Sequence, residues 1–294
     1  MRLDYVAYEP AVCFMNGIYY GIQNLRERTD DDYIYSNYGY EEDEIVLVES
    51  AEMDSDPEFK KLTNYVTNND ISSKAVYDNV CTMMDMDNFM DYFMTEIYLR
   101  NTDWPHNNIK AWKKKDGGKW RWILYDTDFG YNLWSNDHTH NTLTWALGEQ
   151  SGSNPANALW STILLRRLVL NDTFRKSFID RFCIHMSSTF EATRANAILD
   201  SLAAKIETEI VYHKNKWGSA RTLANDVNTM KGFSANRPNS MMNFIGSRFL
   251  SNPGTAEIQI GSNNPKATYT FNSETIRDAQ IKLKYFKNQT YSIS

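Results

Sequence analysis

Residues 101–130 constrain this chain more than any other stretch. They begin NTDWPHNNIKAW and end RWILYDTDFG. NIKAWK and KWRWILYD read as two strands, and KKDGG between them is a turn centred on Asp116-Gly117. A hairpin brings its chain back to where it started, with strands about 4.8 Å apart. Asn108, just before the first strand, and Asp126, ending the second, are therefore expected side by side at the open end. Asp103 lies five residues upstream of Asn108 and can curl over the same point. Period-two alternation puts Trp120, Trp122, Leu124 and Asp126 on one face, so a carboxylate closes an apolar stripe. Before this hairpin, DMDNFMDYFMTEIYLR reads as the strongest helix. Asp85 is its N-cap, and Phe89, Phe93 and Ile97 repeat at helical spacing. Pro105 pushes Trp104 toward an extended shape.

The chemistry follows from this placement. An amide oxygen facing a carboxylate suits a hard cation such as Mg2+, which prefers oxygen ligands and keeps waters for phosphates. A nearby Asp can take a proton from a hydroxyl. Trp120 and Trp122 are by default core residues; stacking of Trp120 on a nucleotide base is the sharper reading. Lys110 shares strand parity with Asn108, so a place in the cleft competes with an ordinary surface lysine. Arg26 and Glu27 end an earlier hairpin, where a nucleotide-binding hinge would lie. His138 and His140 form an HxH pair without a carboxylate-rich partner and read as a polar loop.

Elsewhere the signals are coarser. AVCFMNGIYYGIQNLRE is a hairpin turning at Asn16-Gly17. Residues 29–44 are acidic and tyrosine-rich, EIVLVES is a short strand, and 55–68 and 70–84 are short helices. From about residue 156 the chain turns helical. ALWSTILLRRLVL and NDTFRKSFIDRFCIHM form two helices. FEATRANAILDSLAAKIETEIVYHKNKW reads as one long helix. RPNSMMNFIGSRFL reads as a last one, with Pro238 in its first turn. Residues 253–294 alternate like strands and read as a separate β-rich appendage, expected to be incomplete.

The 294 residues suffice for a substantial core. A net charge of -6 argues against a nucleic-acid-binding protein, which needs clustered Lys and Arg. Cys13, Cys81 and Cys183 show neither CxxC nor zinc spacing. No run approaches the 18 apolar residues of a membrane span.

The spacing from Asp103 to Asn108, followed by Asp126-Thr127-Asp128-Phe129-Gly130, is similar to the protein-kinase catalytic core. There a base Asp precedes a metal-binding Asn by five positions, and a strand pair ends in a metal-binding Asp before Phe-Gly. Asn101-Thr102-Asp103 stands where those kinases have His-Arg-Asp. More specifically, MNGIYYGIQNLRER, MDNFMDYFMTEIYLRNTDWPHNNIKAW, GKWRWILYDTDFGY and RPNSMMNFIGSRF resemble the CotH kinase family, atypical kinases named after a spore-coat protein. The resemblance covers roughly residues 5–250. It implies an α+β, protein-kinase-like fold with a helical C-terminal lobe, using ATP and Mg2+ (or Mn2+) to phosphorylate Ser or Thr of a protein substrate. It implies Asp103 as the catalytic residue and Asn108 and Asp126 as metal ligands. A literal Asp-Phe-Gly reading picks Asp128 instead; hairpin geometry favours Asp126, with Asp128 as a second ligand. An envelope or secreted setting is also part of the resemblance.

The expected layout is a kinase domain over 1–252 and an appendage over 253–294. Only one hairpin precedes the acidic segment, and no glycine-rich loop or phosphate-gripping lysine lies near residue 1. A partial N-terminal lobe is therefore expected. Two other functions compete with the kinase: a pseudokinase or attachment module, and a metal-dependent hydrolase using the same carboxylates.

Overall fold

The computed structural model describes residues 1–134, 138–149 and 155–294. Its N-terminal part is strand-rich: β1 (Asp4–Tyr5), β2 (Tyr8–Met15) and β3 (Ile18–Arg26) precede α1 (Asp31–Tyr38) and β4 (Ile45–Glu49). Asn16 and Gly17 both take positive φ, 51° and 77°, which is what a tight hairpin turn requires. The acidic segment, to which no element is assigned from sequence, supplies α1, capped by Asp30. Then come α2 (Pro57–Asn68), α3 (Lys74–Met83) and α4 (Met86–Leu99), the hairpin β5 (Lys110–Lys114) and β6 (Arg121–Leu124), and α5 (Thr142–Ala146). The C-terminal half holds α6 (Leu159–Leu168), α7 (Asp172–Met186), α8 (Ala192–Ile206), α9 (Ile210–Trp217) and α10 (Leu223–Phe249). It ends in β7 (Thr255–Gly261), β8 (Tyr269–Phe271), β9 (Glu274–Ile276) and β10 (Gln280–Phe286). The class is mixed α+β, with ten helices and small sheets among the described residues.

Helix α4 is the centre of the molecule. Every residue from Asn88 to Tyr98 is buried, so this helix has neighbours on all sides. Asp85 caps it, accepting from the Asn88 amide at 3.1 Å. The Asn88 side chain then does what a core amide must do to be tolerated. Its Oδ1 accepts from the Trp122 amide at 2.6 Å and its Nδ2 donates to the Trp122 carbonyl at 3.1 Å. That exchange fixes β6 lengthwise on α4. β6 lies inside a four-stranded sheet of order β1-β6-β5-β4, with β1 parallel to it and the other pairs antiparallel.

Two helix boundaries differ from expectation. The stretch from 190 to 217 is two helices, α8 and α9, rather than one. The break frees α9 to lie along β3, where the Trp217 Nε1–H donates to the Tyr20 carbonyl at 3.0 Å and the Ile22 amide donates to His213 Nδ1 at 3.0 Å. Gly21 makes this approach feasible: a Cβ there would fall 2.6 Å from His213 Nδ1. Pro238 is not in a first turn but inside the 27-residue α10, which starts at Leu223 with Thr222 as its N-cap. Pro238 removes one helical hydrogen bond; packing of the neighbouring Arg237 outweighs that loss.

Arg237 has no exposed surface. It donates to the carbonyls of Ile97 (2.8 Å) and Tyr98 (2.9 Å) at the end of α4. It also donates to the carbonyls of His138 (2.8 Å) and His140 (2.7 Å) and to the Thr142 hydroxyl (3.1 Å). The HxH pair thus contributes backbone oxygens to an arginine.

The C-terminal strands do not stand apart. Phe271, Ile281, Leu283, Tyr285 and Phe286 belong to the same core as α4 and α7. Buried Asp180 on α7 accepts from the Tyr285 hydroxyl (2.5 Å) and from Asn272 (2.8 Å). Arg181 pairs with Asp87, with Asp91 (2.9 Å) and with Glu274 (2.9 Å). An unpaired charge inside a protein is expensive, so these residues tie β8–β10 to the helices.

Replacing Arg237 with methionine keeps bulk but removes one donor from each of four carbonyls. The expected cost is about 3 kcal/mol or more, read from urea denaturation. A loss under about 1 kcal/mol would remove Arg237 from this role.

Candidate functional site

Two loops, 100–109 and 125–132, rest on the last turns of α4. The Leu99 carbonyl accepts from the Tyr131 amide at 2.9 Å. Gly130 is pressed so close that a Cβ would sit 2.7 Å from that same oxygen. Tyr92 donates its hydroxyl to the Asn108 carbonyl (3.3 Å) and accepts from Trp104 Nε1 (3.0 Å). The Trp104 carbonyl in turn accepts from Trp145 Nε1 at 2.6 Å. Asn101 and Glu96, both without exposure, complete the platform. Asn101 Nδ2 donates to Glu96 Oε2 at 2.9 Å and reaches the Asp126 carbonyl at 3.4 Å, while its Oδ1 accepts from the Asp103 amide at 3.1 Å.

The acidic residues meet above this platform. Asp103 Oδ2 accepts from both Asn107 Nδ2 and Asn108 Nδ2, each at 3.0 Å. Asn108 therefore spends its amide nitrogen on Asp103, and its Oδ1 remains an acceptor. The side-chain parity inferred from the sequence does not reach Asp126: β6 ends at Leu124, and Asp126 takes a left-handed φ of 50°. Asn108 is left-handed too, at 51°. Such backbone is costly for non-glycine residues and is most readily taken up by Asn and Asp. Burial pushes the Asp126 carboxyl above its ordinary range. Asp128 and Asp103 add to the rise, and Arg26, with Nη1 at 3.8 Å, opposes it.

An oxygen-only set of this kind, short of positive charge, fits a hard divalent cation. Asp126, Asp128 and the Asn108 oxygen are the donors from which such a site would be built. Among the described residues no group of three or more His, Cys, Asp or Glu side chains forms a ready cage.

Beside Asp126 and Asp128 lies a cavity of about 910 Å³, at the upper end of the roughly 300–1,000 Å³ usual for small-molecule sites. Tyr5, Leu124, Leu223 and Met230 contribute apolar wall, and Arg26, His213, Lys214 and Arg221 bring basic groups to it. The last three come from α9 and the joint with α10, more than eighty residues downstream of Asp126. Nothing in their local sequence marks them, and only the docking of α9 on β3 brings them here.

Three other expected nucleotide contacts lie elsewhere. Trp120 is a core residue, 2% exposed, with its ring edge-on to Phe59 at 5.0 Å; it has no face free for a base. Lys110 commits its ammonium to the Thr29 carbonyl (2.6 Å), the Thr29 hydroxyl (3.1 Å) and Glu49 (2.7 Å), and lies over the Tyr125 ring. Glu27 accepts from the Ala7 amide at 2.7 Å and is not among the cavity-lining residues. Strand parity could not foresee partners that use all three of the Lys110 donors.

A family model described as CotH kinase protein matches residues 1–241. The chain belongs to the CotH kinase family. No curated protein matches it. The CotH match takes in the whole platform on α4, the hairpin and the cavity walls, and it makes a kinase-like function the expected one. No helix among the described residues is long and apolar enough to cross a membrane.

Burial raises the Glu96 carboxyl to about 8; Asn101 and Tyr92 oppose the rise and Asp126 adds to it. The fold thus favours the protonated acid. That contribution is complete below the ordinary value of 4.5 and is lost as pH climbs through about 8. Glu96→Gln mimics the protonated form. Its stability relative to wild type should improve steadily between those two values and level off above, in thermal denaturation across pH. A pH-independent gap would contradict a buried neutral Glu96.

Proposed function

We propose that this CotH-family chain transfers the terminal phosphoryl group of ATP to a Ser or Thr hydroxyl of a protein. The observation that carries this reading is the meeting of Asp103, Asn108 and Asp126 on one buried helix end, next to a cavity of nucleotide size. Asp103 is the group that orients the acceptor hydroxyl and takes its proton. The amides of Asn107 and Asn108 hold its carboxylate in place from one side. Asn108, Asp126 and Asp128 would hold Mg2+ or Mn2+, which when bound offsets phosphate charge. Arg26 lies within reach of the same carboxylates, and Lys214 and Arg221 line the cavity where phosphate charge would accumulate. Apolar wall from Tyr5, Leu124 and Met230 suits a base ring.

A binding role without transfer is the second reading. It is favoured by Lys110, the lysine nearest the sheet face, being fully engaged with Thr29 and Glu49.

Transfer from radiolabelled ATP to a general protein acceptor tests the first reading. Asp103→Ala should lower the rate by roughly 10²–10⁴-fold while leaving nucleotide affinity within a few-fold. Asp126→Ala should abolish the metal-dependent part of nucleotide binding in calorimetry. Full transfer by Asp103→Ala would end the assignment. Metal-dependent binding without transfer in wild type would favour the second reading.

A further inference from the structure

The proposed proton acceptor and the proposed metal-holding carboxylate sit on different loops, at opposite ends of the β5–β6 hairpin in sequence. One buried side chain touches both. Asn101 accepts from the Asp103 amide through Oδ1 (3.1 Å) and points Nδ2 at the Asp126 carbonyl (3.4 Å) and at Glu96 Oε2 (2.9 Å). Neither Asn101 nor Glu96 has any exposed surface.

Helix capping does not explain this pair. The end of α4 is already closed by backbone: the Arg100 amide reaches Ile97 at 3.3 Å and the Asn101 amide reaches the Glu96 carbonyl at 3.2 Å. Arg237 covers the carbonyls of Ile97 and Tyr98. Stability does not explain it either. Glu96 Oε1 is buried without a hydrogen-bond partner, and an incompletely satisfied polar pair is worse than an apolar one of the same volume. What an apolar pair could not do is bind the Asp103 amide and the Asp126 carbonyl together.

We infer that Asn101, held in place by Glu96, is a positioning residue that fixes the separation of Asp103 and Asp126. Asn108 keeps its own ties to Tyr92 and to Asp103, but loss of Asn101 leaves the Asp103 amide and the Asp126 carbonyl without a common anchor, and both loops loosen. The catalytic consequence rests on the kinase reading; the mechanical link does not. A displacement of about 1 Å between reacting groups is enough to cost roughly 10²-fold in rate.

The test uses the full chain with Asn101→Asp, Asn101→Ala and Glu96→Gln. Asn101→Asp preserves shape but turns the donor into an acceptor facing two oxygens. Hydrogen exchange should accelerate by about tenfold or more in both segments, 101–108 and 125–131, while α4 stays protected. Glu96→Gln keeps the accepting oxygen and should leave both segments as in wild type. Should Asn101→Asp fail to fold by circular dichroism, Asn101→Ala decides. Acceleration in only one segment, or in neither, overturns the link. In the transfer assay the Asn101 variants should lose roughly 10²-fold in kcat with KM for ATP within a few-fold. Unchanged kcat, or a loss carried by KM, overturns the positioning role. If wild type itself transfers no phosphate, the kinase reading fails, and the exchange pattern alone decides whether Asn101 links the loops.

Discussion

A guanidinium without any exposure to water holds the C-terminal end of the central helix. The last carbonyls of a helix have no partner within it and carry partial negative charge. Arg237 takes two of them, from Ile97 and Tyr98, and with the same group takes the His138 and His140 carbonyls. The place where α4 stops is thus set from α10, about 140 residues away in sequence. One loop of the candidate site departs from that stop and the other rests on it. Arg100 turns left-handed there, Asn101 folds back on Glu96, and Leu99 receives the loop after Asp128. A site built this way inherits the rigidity of a buried helix although its working residues all lie on loops.

Much of this was legible in the sequence, and the limits of legibility have physical causes. Local chemistry was readable: the Asn16-Gly17 turn, the cap at Asp85, and the hairpin that returns Asp126 to Asn108. Readings failed where a distant partner overrode a local rule. Alternation along β6 stops at Leu124 because Asp126 is needed in a left-handed turn. The helix from 190 breaks because His213 and Trp217 find backbone groups on β3. Pro238 sits inside a helix because Arg237 anchors that turn. Lys110 opens β5 as expected and Trp120 falls just before β6, in an isolated bridge to Met84, but strand position does not say which face is covered. Asn101 stood in view as the first residue of Asn-Thr-Asp, yet its importance depends on Glu96 and Asp126, which spacing alone does not connect to it.

The electrostatics of the site run against the carboxylates. Three acidic groups share a partly buried corner, and the nearest cation, Arg26, is 3.8 Å from Asp126 and half exposed. Burial and its acidic neighbours push the Asp126 carboxyl toward its protonated form. A divalent cation reverses that tendency, and so does an arriving arginine or lysine. Membership of the CotH kinase family and this local imbalance are independent observations, one from sequence likeness and one from charge, and they point to the same corner of the molecule.

The contact between α9 and β3 has a consequence for solubility. The outer side of β3 presents backbone groups that would otherwise be open to pairing, and the hairpin carries exposed Val12, Phe14, Met15, Ile18 and Leu25. An apolar strand with a bare edge is a template for a foreign strand. Here an imidazole and an indole occupy the Ile22 amide and the Tyr20 carbonyl, and a glycine between them lets the rings come close. Two side chains of the same protein stand where the next strand of an aggregate would begin.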